Sequence, residues 1–288
     1  MPELPEVEVV KRSLESQIIN LTLKKVKIND GNLRYKVKKQ DLKKIIGLKI
    51  QKIVRRSKYL LFFFDKNFTM VAHLGMTGKF FLINKNKKIF KTSFYYQIED
   101  SLKKHNRIIF YFSGNLQLIF NDVRKFGFIK IFSKNNINNV KHLKLLGPEP
   151  LSGNFNFEYF KSYLKGKKRN IKDLLMDQKF LSGLGNIYAN EILFLSKINP
   201  KRKIVKLTDQ NIINIIKHTK TVLKKAISLG GSSIKNFSNS EGKKGNFQQL
   251  FNVYGRKSEK CSNADCNGKI KKINLSNRSS FFCVLCQK

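Results

Sequence analysis

Apolar residues fall at two different periods along this chain. Val7, Val10, Leu14 and Ile18 stand three or four apart, which predicts one amphipathic helix at the start. From about residue 21 to 132 the pattern becomes short runs of branched and aromatic residues: Val26 with Ile28, Leu48 to Ile50, Leu60 to Phe64, Phe68 to Leu74, Ile108 to Phe112, Leu116 to Phe120 and Phe128 to Phe132. Phe68, Met70, Ala72 and Leu74 alternate with other residues, and Gly and Asn punctuate the runs. That pattern predicts an all-β sandwich or barrel. Residues 133 to 154 are rich in Asn and Lys, contain Leu146-Gly147-Pro148-Glu149-Pro150, and read as a linker. Helical spacing then returns at Phe157 to Leu164, Ile171 to Gln178 and Ile187 to Ser196. A longer helix is capped by Thr208-Asp209, carries Ile212, Ile215, Ile216 and Leu223 on one side, and ends at Gly230-Gly231. The expected division is a β domain over 1–133, a linker over 134–154, a helical domain over 155–245 and a cysteine module over 246–288.

Composition narrows the class. The chain has 288 residues, enough for two domains, and 41% are hydrophobic, which allows an ordinary core. Lys and Arg number 58 against 19 Asp and Glu, a formal charge of +39 that favours a polyanionic partner. Abundant Lys, Asn, Ile and Phe with no Trp is also what AT-biased coding produces, so part of the excess is compositional. No amphipathic anchor accompanies the charge, which puts nucleic acid ahead of a membrane surface. No apolar run approaches the roughly 20 residues of a membrane span. The acidic N-terminus is unlike a signal peptide, and a cytoplasmic protein is expected.

All four cysteines lie near the end, as Cys261-x4-Cys266, a gap of sixteen residues, then Cys283-x2-Cys286. Two close pairs at that separation can place four thiolates around one Zn2+; two disulfides are the competing reading. Ile270 to Ile273 and Ser279 to Phe282 would form a two-stranded ribbon, made basic by Lys269, Lys271, Lys272 and Arg278. Four cysteine ligands would close the site, so the metal is expected to be structural.

Other motifs carry candidate chemistry. Pro2 follows the initiator methionine, a position where methionine is commonly removed, and removal would leave a secondary amine beside Glu3 and Glu6. An amine beside carboxylates can attack an electrophilic carbon and move protons. The same residues also describe a plain helix start, with Pro5 in the first turn and glutamates near the positive end. Arg55-Arg56-Ser57-Lys58-Tyr59 is a basic turn that is either solvated or holds phosphates. His73-Leu74-Gly75-Met76-Thr77-Gly78 runs from a strand into a turn that exposes Met76, a good wedge between bases. Asp122-Val123-Arg124-Lys125-Phe126-Gly127 is another turn, with an arginine and an aromatic two apart. In Gln178 to Tyr188, Gly183 and Gly185 allow close backbone approach, and the amides opening the following helix suit a phosphate. A major-groove helix-turn-helix is the competing view of that stretch.

Taken in order, these pieces resemble the bacterial formamidopyrimidine-DNA glycosylase (Fpg/MutM) family over essentially the whole chain. The resemblance is carried by Met1 to Glu8, His73 to Gly78, Arg124 to Gly127, Leu146 to Pro150, Leu184 to Tyr188, Val253-Tyr254-Gly255-Arg256 and the four cysteines. It implies an α+β multidomain protein: an N-terminal β-sandwich with a flanking helix, a helix–two-turn–helix domain with a zinc-finger hairpin, and a DNA cleft between them. It implies a monomer acting on damaged double-stranded DNA with one structural zinc on Cys261, Cys266, Cys283 and Cys286. By the same resemblance Pro2 is the nucleophile and Glu3 its acid/base partner. Glu6 helps at the base or the opened sugar, and Lys58 belongs with this catalytic group. Lys58 and His73 contact DNA near the damaged nucleotide, while Asn186, Tyr254, Lys272 and Arg278 hold phosphates. Met76, Arg124 and Phe126 fill the space of the flipped base, with Arg124 facing the orphan cytosine. The loop around Ser238 to Asn246 closes over the lesion.

The implied reaction is excision of oxidised purines (8-oxoguanine and formamidopyrimidines) through a Schiff base on Pro2, then strand cleavage by β,δ-elimination. Four positions depart from the family pattern: the x4 spacing of the first cysteine pair, Lys125 in place of arginine, Ser57 in place of glycine or alanine before Lys58, and Asn236 in place of aspartate. Two other readings compete. An endonuclease VIII-like glycosylase for oxidised pyrimidines shares the Pro2 and Glu3 chemistry, but Leu4 and the Met76, Arg124 and Phe126 set favour the first branch. A non-catalytic zinc-ribbon nucleic-acid-binding protein would have no need of proline at position 2.

Overall fold

The structure, a computed structural model, describes residues 1–84, 89–91 (backbone), 103–133, 135, 137, 140–232 and 247–288. Asn236 and the Ser238 to Asn246 loop lie outside the described residues. The chain forms two compact units. One is Met1–Lys144 with the stretch that begins at Gly230; the other is Leu145–Leu229 with the stretch that ends at Lys288.

The first unit opens with helix α1 (Leu4–Ile18). Strand β1 (Leu23–Ile28), the short helix α2 (Lys39–Lys43) and strands β2 (Ile50–Arg56), β3 (Tyr59–Phe64) and β4 (Phe68–His73) follow. Then come β5 (Lys79–Ile83), β6 (Ile89–Lys91), β7 (Asn106–Phe112), β8 (Gln117–Asn121), β9 (Phe128–Ser133) and the one-turn helix α3 (Lys141–Lys144). Five strands make one antiparallel sheet in the order β1-β7-β8-β5-β6, and four make another in the order β2-β3-β4-β9. The expected sandwich is therefore present. Its core takes Ile53, Leu60, Phe62, Phe64, Met70 and Ala72 from one sheet, Phe80, Leu82, Ile108, Phe110, Leu118 and Phe120 from the other, and the Val7, Val10, Leu14 and Ile18 stripe of α1.

Strand β3 is apolar at almost every position because both of its faces are covered. Leu60, Phe62 and Phe64 enter the main core, while Leu61 packs outward with Val71 and Phe128 in a second cluster that Tyr35, Tyr59, Phe63 and Leu143 join. Period-2 side-chain alternation makes this sorting automatic. At one end of the larger sheet, β1 carries exposed Lys24, Lys25 and Lys27.

The second unit holds α4 (Phe157–Leu164), α5 (Ile171–Met176), α6 (Asn186–Leu195) and α7 (Asp209–Ser228), then the hairpin of β10 (Ile270–Leu275) and β11 (Arg278–Cys283). Helix α6 is buried from Ile187 to Phe194, packed by α5, α7 and β11, so its sequence is apolar nearly all round. The α7 start is a capping box: Thr208 accepts from the Asn211 amide at 3.2 Å, and the Asn211 side chain accepts from the Thr208 amide at 3.2 Å. Ser276 and Asn277, both left-handed (φ 47° and 59°), form the two-residue turn of the β10–β11 hairpin.

Four features go beyond the periodicity. Strand β5 and the five-residue α2 were not expected, α3 lies within the stretch read as a linker, and the short β6 also falls outside the expected runs. β5 runs Lys79-Phe80-Phe81-Leu82-Ile83 with its first four residues buried, so it has no alternation to detect.

Candidate active site and nucleic-acid interface

Glu3 stands at the N-cap of α1, and Pro5 sits in the first turn, where its missing N–H costs nothing. Glu6, one turn in, turns its carboxylate back. Its Oε2 accepts the Glu3 amide at 2.8 Å, and its Oε1 accepts the Ser232 amide at 2.7 Å and hydroxyl at 2.9 Å. Both glutamates are buried. Gly230 and Gly231 are both left-handed (φ 79° and 83°), and a Cβ on Gly231 would lie 3.0 Å from Glu6 Oε1. Only a glycine lets the chain pass this close to the carboxylate and turn Ser232 onto it.

The chain start is electrostatically crowded. Burial lowers the affinity of the terminal amine for a proton below its ordinary value. Glu3 and Glu6 oppose that effect, and Lys58 and Arg124 reinforce it. Four of the residues singled out in the sequence thus act on one point. Met1 precedes Pro2 here, so the proline nitrogen is an amide.

Lys58 is buried in the β2–β3 turn, where Arg56 pairs with Tyr59. Ser57 is left-handed (φ 56°) at the first central position of that two-residue turn, the glycine position of a type II′ hairpin. Arg55 secures the turn. Its Nε donates to Glu8 at 2.8 Å and its Nη1 to the Ser57 carbonyl at 3.0 Å. Burial opposes ionisation of Glu8, but the hydrogen bonds and charges of Arg55 and Arg12 outweigh it and hold the carboxyl below its usual range.

His73 ends β4. Its ring stacks on Phe128 (centroids 5.7 Å apart, planes 15°) and lies 4.8 Å from Tyr59. Burial, with Lys58, Arg34 and His142, lowers its pKa to about 4, so the ring is neutral near pH 7. The Gly75 amide donates to His73 Nδ1 at 3.0 Å. An amide can only donate, so the remaining proton sits on Nε2 and that nitrogen is a hydrogen-bond donor.

The loops on either side of Met76 and Arg124 interlock. Thr77 Oγ1 donates to Asp122 Oδ1 at 2.5 Å and accepts the Arg124 amide at 3.0 Å; Asp122 Oδ2 accepts the Gly127 amide at 2.8 Å. Gly75 (φ 61°) lies so close that a Cβ there would be 2.4 Å from the Phe126 carbonyl carbon. From this base Met76 (37% exposed) and Phe126 (44%) project, and the Arg124 guanidinium lies 4.6 Å from the Phe126 ring centroid. Arg107 braces the loop from below, donating to the Asp122 carbonyl at 2.8 Å and to Asp30 at 2.9 Å; Asp30 also pairs with Lys125 at 2.8 Å. Arg107 and Asp30 were not singled out in the sequence, and Thr77 was named only as part of its turn. Contacts that join Arg107 to Asp30, and Thr77 to Asp122, across 77 and 45 residues leave no local spacing signal. Beside β9, a groove of about 600 Å³ is lined by Arg34, Lys36, Lys38 and Lys130 against one acid, Asp41.

In the second unit, Asn186 opens α6 after Gly185, and its Nδ2 donates to the Ser279 carbonyl at 3.0 Å. Buried Lys172 reaches the same carbonyl at 2.9 Å and the Ser280 hydroxyl at 2.6 Å. The Glu191 carboxylate gathers the amides of Asn252, Val253 and Tyr254 at 2.8 to 3.0 Å. That fixes Tyr254, whose ring meets Phe281 edge-on at 5.3 Å. Register puts Lys272 opposite Phe281, and Arg278 opposite Leu275. The two cations therefore stand on opposite faces of the ribbon. Both are exposed.

Cys261, Cys266, Cys283 and Cys286 converge, with all four sulfurs within 4.8 Å of one another. The nearest pairs, Cys261–Cys286 at 3.7 Å and Cys266–Cys283 at 3.6 Å, are too long for disulfides. They match the edges of about 3.8 Å expected of a tetrahedron with metal–sulfur bonds of ~2.3 Å. The x4 spacing of the first pair reaches this arrangement. Asn263 Nδ2 and the Gly268 amide donate to Cys286 and Cys266 sulfurs at 3.2 and 3.3 Å, contacts that favour thiolates. A Cβ on Gly268 would lie 2.8 Å from the Cys283 sulfur. The four residues can hold one metal ion.

Two family descriptions match the chain: "Formamidopyrimidine-DNA glycosylase N-terminal domain" over residues 1–129 and "Formamidopyrimidine-DNA glycosylase H2TH domain" over residues 146–238. Among curated relatives, the formamidopyrimidine-DNA glycosylase of Rickettsia bellii is 42% identical over 288 residues, all of both chains. That of Rickettsia felis is 41% identical over 287 residues, covering 100% of this chain and 98% of the relative. Among solved structures, Lactococcus lactis Fpg with abasic-site DNA superposes at a TM-score of 0.85, with 35% identity over 99% of each chain. The same enzyme with N7-benzyl-Fapy-dG DNA gives a TM-score of 0.85, with 35% identity over 100% of each chain.

Proposed function

This chain belongs to the formamidopyrimidine-DNA glycosylase family, and we propose that it excises oxidised purines from duplex DNA with the site assembled around its first residues. The observation that carries the reading is the convergence of Glu3, Glu6, Lys58 and Arg124 on the chain start. With Met1 removed, Pro2 presents a secondary amine there. Terminal amines have a reference pKa of about 8, against about 10.4 for lysine, so far more of this amine is unprotonated at neutral pH. The buried, cation-flanked surroundings push in the same direction.

The damaged nucleotide must leave the stack to be reached. Met76 and Phe126 occupy the vacated space, and Arg124 faces the orphan base. The Pro2 nitrogen bonds to the anomeric carbon as the glycosidic bond breaks, and the base leaves with a proton supplied at the site. Ring opening, with Glu3 protonating the ring oxygen, gives an iminium. The cationic nitrogen acidifies the 2′ hydrogens, so the 3′ phosphate and then the 5′ phosphate leave by elimination, and water releases Pro2. Lys58 and the His73 Nε2–H are donors for phosphates beside the lesion. Asn186, Tyr254, Lys272 and Arg278 serve the backbone further along, Lys272 and Arg278 from opposite faces of the ribbon. Cys261, Cys266, Cys283 and Cys286 would hold one Zn2+, which supplies the fold of the ribbon.

The test is borohydride trapping on a duplex with 8-oxoguanine opposite cytosine. A covalent protein–DNA adduct is expected, together with a loss of mass equal to Met1. The adduct should vanish when Pro2 is replaced by a residue that retains Met1. Absence of an adduct from Met1-free protein on every oxidised base would overturn the reading.

A further inference from the structure

Met76 belongs to one loop, and Arg124 and Phe126 to another, 45 residues or more away in sequence. One hydroxyl joins them. Thr77 Oγ1 donates its proton to the buried Asp122 carboxylate at 2.5 Å and takes the Arg124 amide proton at 3.0 Å. The other oxygen of Asp122 holds the Gly127 amide at 2.8 Å, closing the loop that carries Arg124 and Phe126. Arg107 holds the Asp122 carbonyl at 2.8 Å from the strand side. Gly75 is pressed against the Phe126 backbone so closely that no side chain fits.

We infer that Thr77 and Asp122 are positioning residues for base extrusion: they lock the two loops into one rigid wedge, so that Met76, Arg124 and Phe126 enter the duplex together. The physical case rests on what insertion requires. Holding a base out of the stack costs a few kcal/mol, and the side chains replacing it offset that cost only if they arrive without being ordered at the same moment. Three exposed side chains on two independent loops would each lose freedom on entry. A shared, buried, charge-assisted hydrogen bond removes that freedom beforehand. The hydroxyl is suited to the junction because it donates to the carboxylate and accepts from the amide at once; a methyl can do neither.

This inference rests on the proposed wedge role of Met76, Arg124 and Phe126, and its test separates the two. Thr77→Val keeps the shape and deletes the hydroxyl; Thr77→Ser keeps the hydroxyl. Three substrates are compared: 8-oxoguanine opposite cytosine in a duplex, 8-oxoguanine opposite adenine in a duplex, and an abasic site in a single strand, which has no stack to invade. Thr77→Val is expected to lower single-turnover excision opposite cytosine by about tenfold or more, as loss of a hydrogen bond to a charged group implies. It should also narrow the preference for cytosine over adenine. Cleavage of the single-stranded abasic substrate should stay within about twofold, and Thr77→Ser should restore duplex excision. Equal losses on duplex and single strand, or no loss on the duplex, would overturn the coupling. Arg124→Ala and Met76→Ala serve as the separate control: if neither impairs duplex excision, the wedge reading itself fails. Thermal unfolding of Thr77→Val, expected to remain cooperative, confirms that a folded protein is being compared.

Discussion

Ser232 gives both its amide and its hydroxyl proton to one oxygen of Glu6, across 226 residues of sequence. With the Glu3 amide on the other oxygen, the Glu6 carboxylate is held by three donors. Those bonds tie the N-cap of α1 and Ser232 to one buried carboxylate. Glu6→Gln replaces one acceptor oxygen with an NH2 group that must face an N–H or O–H donor. It should cost about 2–3 kcal/mol in denaturant unfolding, because buried donors lose a charged acceptor. A variant as stable as the parent would contradict this placement.

The depressed proton affinity of the chain start predicts a pH profile. Burial, Lys58 and Arg124 all favour the neutral amine at that point. If Pro2 inherits that environment, kcat/KM should rise with pH through a pKa below the ordinary terminal-amine value of about 8 and be flat above it. Lys58→Met removes one of the cations, so the rising limb should move to higher pH. Single-turnover excision across pH 5 to 9 measures both.

His73 predicts a second pH effect, on stability. Its folded pKa of about 4 lies below the ordinary histidine value of 6.5. The protonated ring is disfavoured in the fold, so its stabilising contribution is complete above about pH 6.5 and is lost as pH falls toward 4. Replacing His73 with Asn should flatten part of the decline in Tm between those limits, while DNA affinity from pH 7 to 8 should carry no His73 titration. A decline with unchanged slope in the variant would contradict the assignment.

The four sulfurs predict a metal content. One Zn2+ per chain should be released by thiol modification, with loss of the ribbon's fold and of DNA affinity, while the β-sandwich unit stays folded. In the folded ribbon, burial pushes the Cys261 thiol up to about 12, so this sulfur should resist thiol reagents near neutral pH for as long as the ribbon stays folded. Metal analysis with thiol titration checks both statements.

Local patterns in the sequence revealed what is local in the structure. The α1 stripe, the helices from Phe157 to Ser228 and the cysteine pairs are legible because their meaning lies in spacing alone. Strand β5 escaped because Phe80, Phe81 and Leu82 are buried on both faces and show no period. The departure at Ser57 is visible as a missing glycine or alanine, and the structure shows what the position demands, a left-handed turn conformation. The Asp122–Thr77 and Glu6–Ser232 links were invisible, since nothing in the sequence marks which acceptor a distant donor will meet. Opposite faces for Lys272 and Arg278 follow only from the hairpin register.

The lysines of β1 bear on how this cationic protein stays dispersed. Among the described strands β1 ends its sheet; Leu23 is already bonded to Gly47 and Leu48, and the residues after it lie on the kind of edge that a neighbouring molecule can pair with. Lys24, Lys25 and Lys27 place three like charges along that rim. Two copies approaching edge to edge would bring six ammonium groups together, so the strand repels its own kind before pairing can begin. Neutralising these three lysines should lower the concentration at which the protein precipitates without weakening its hold on a lesion.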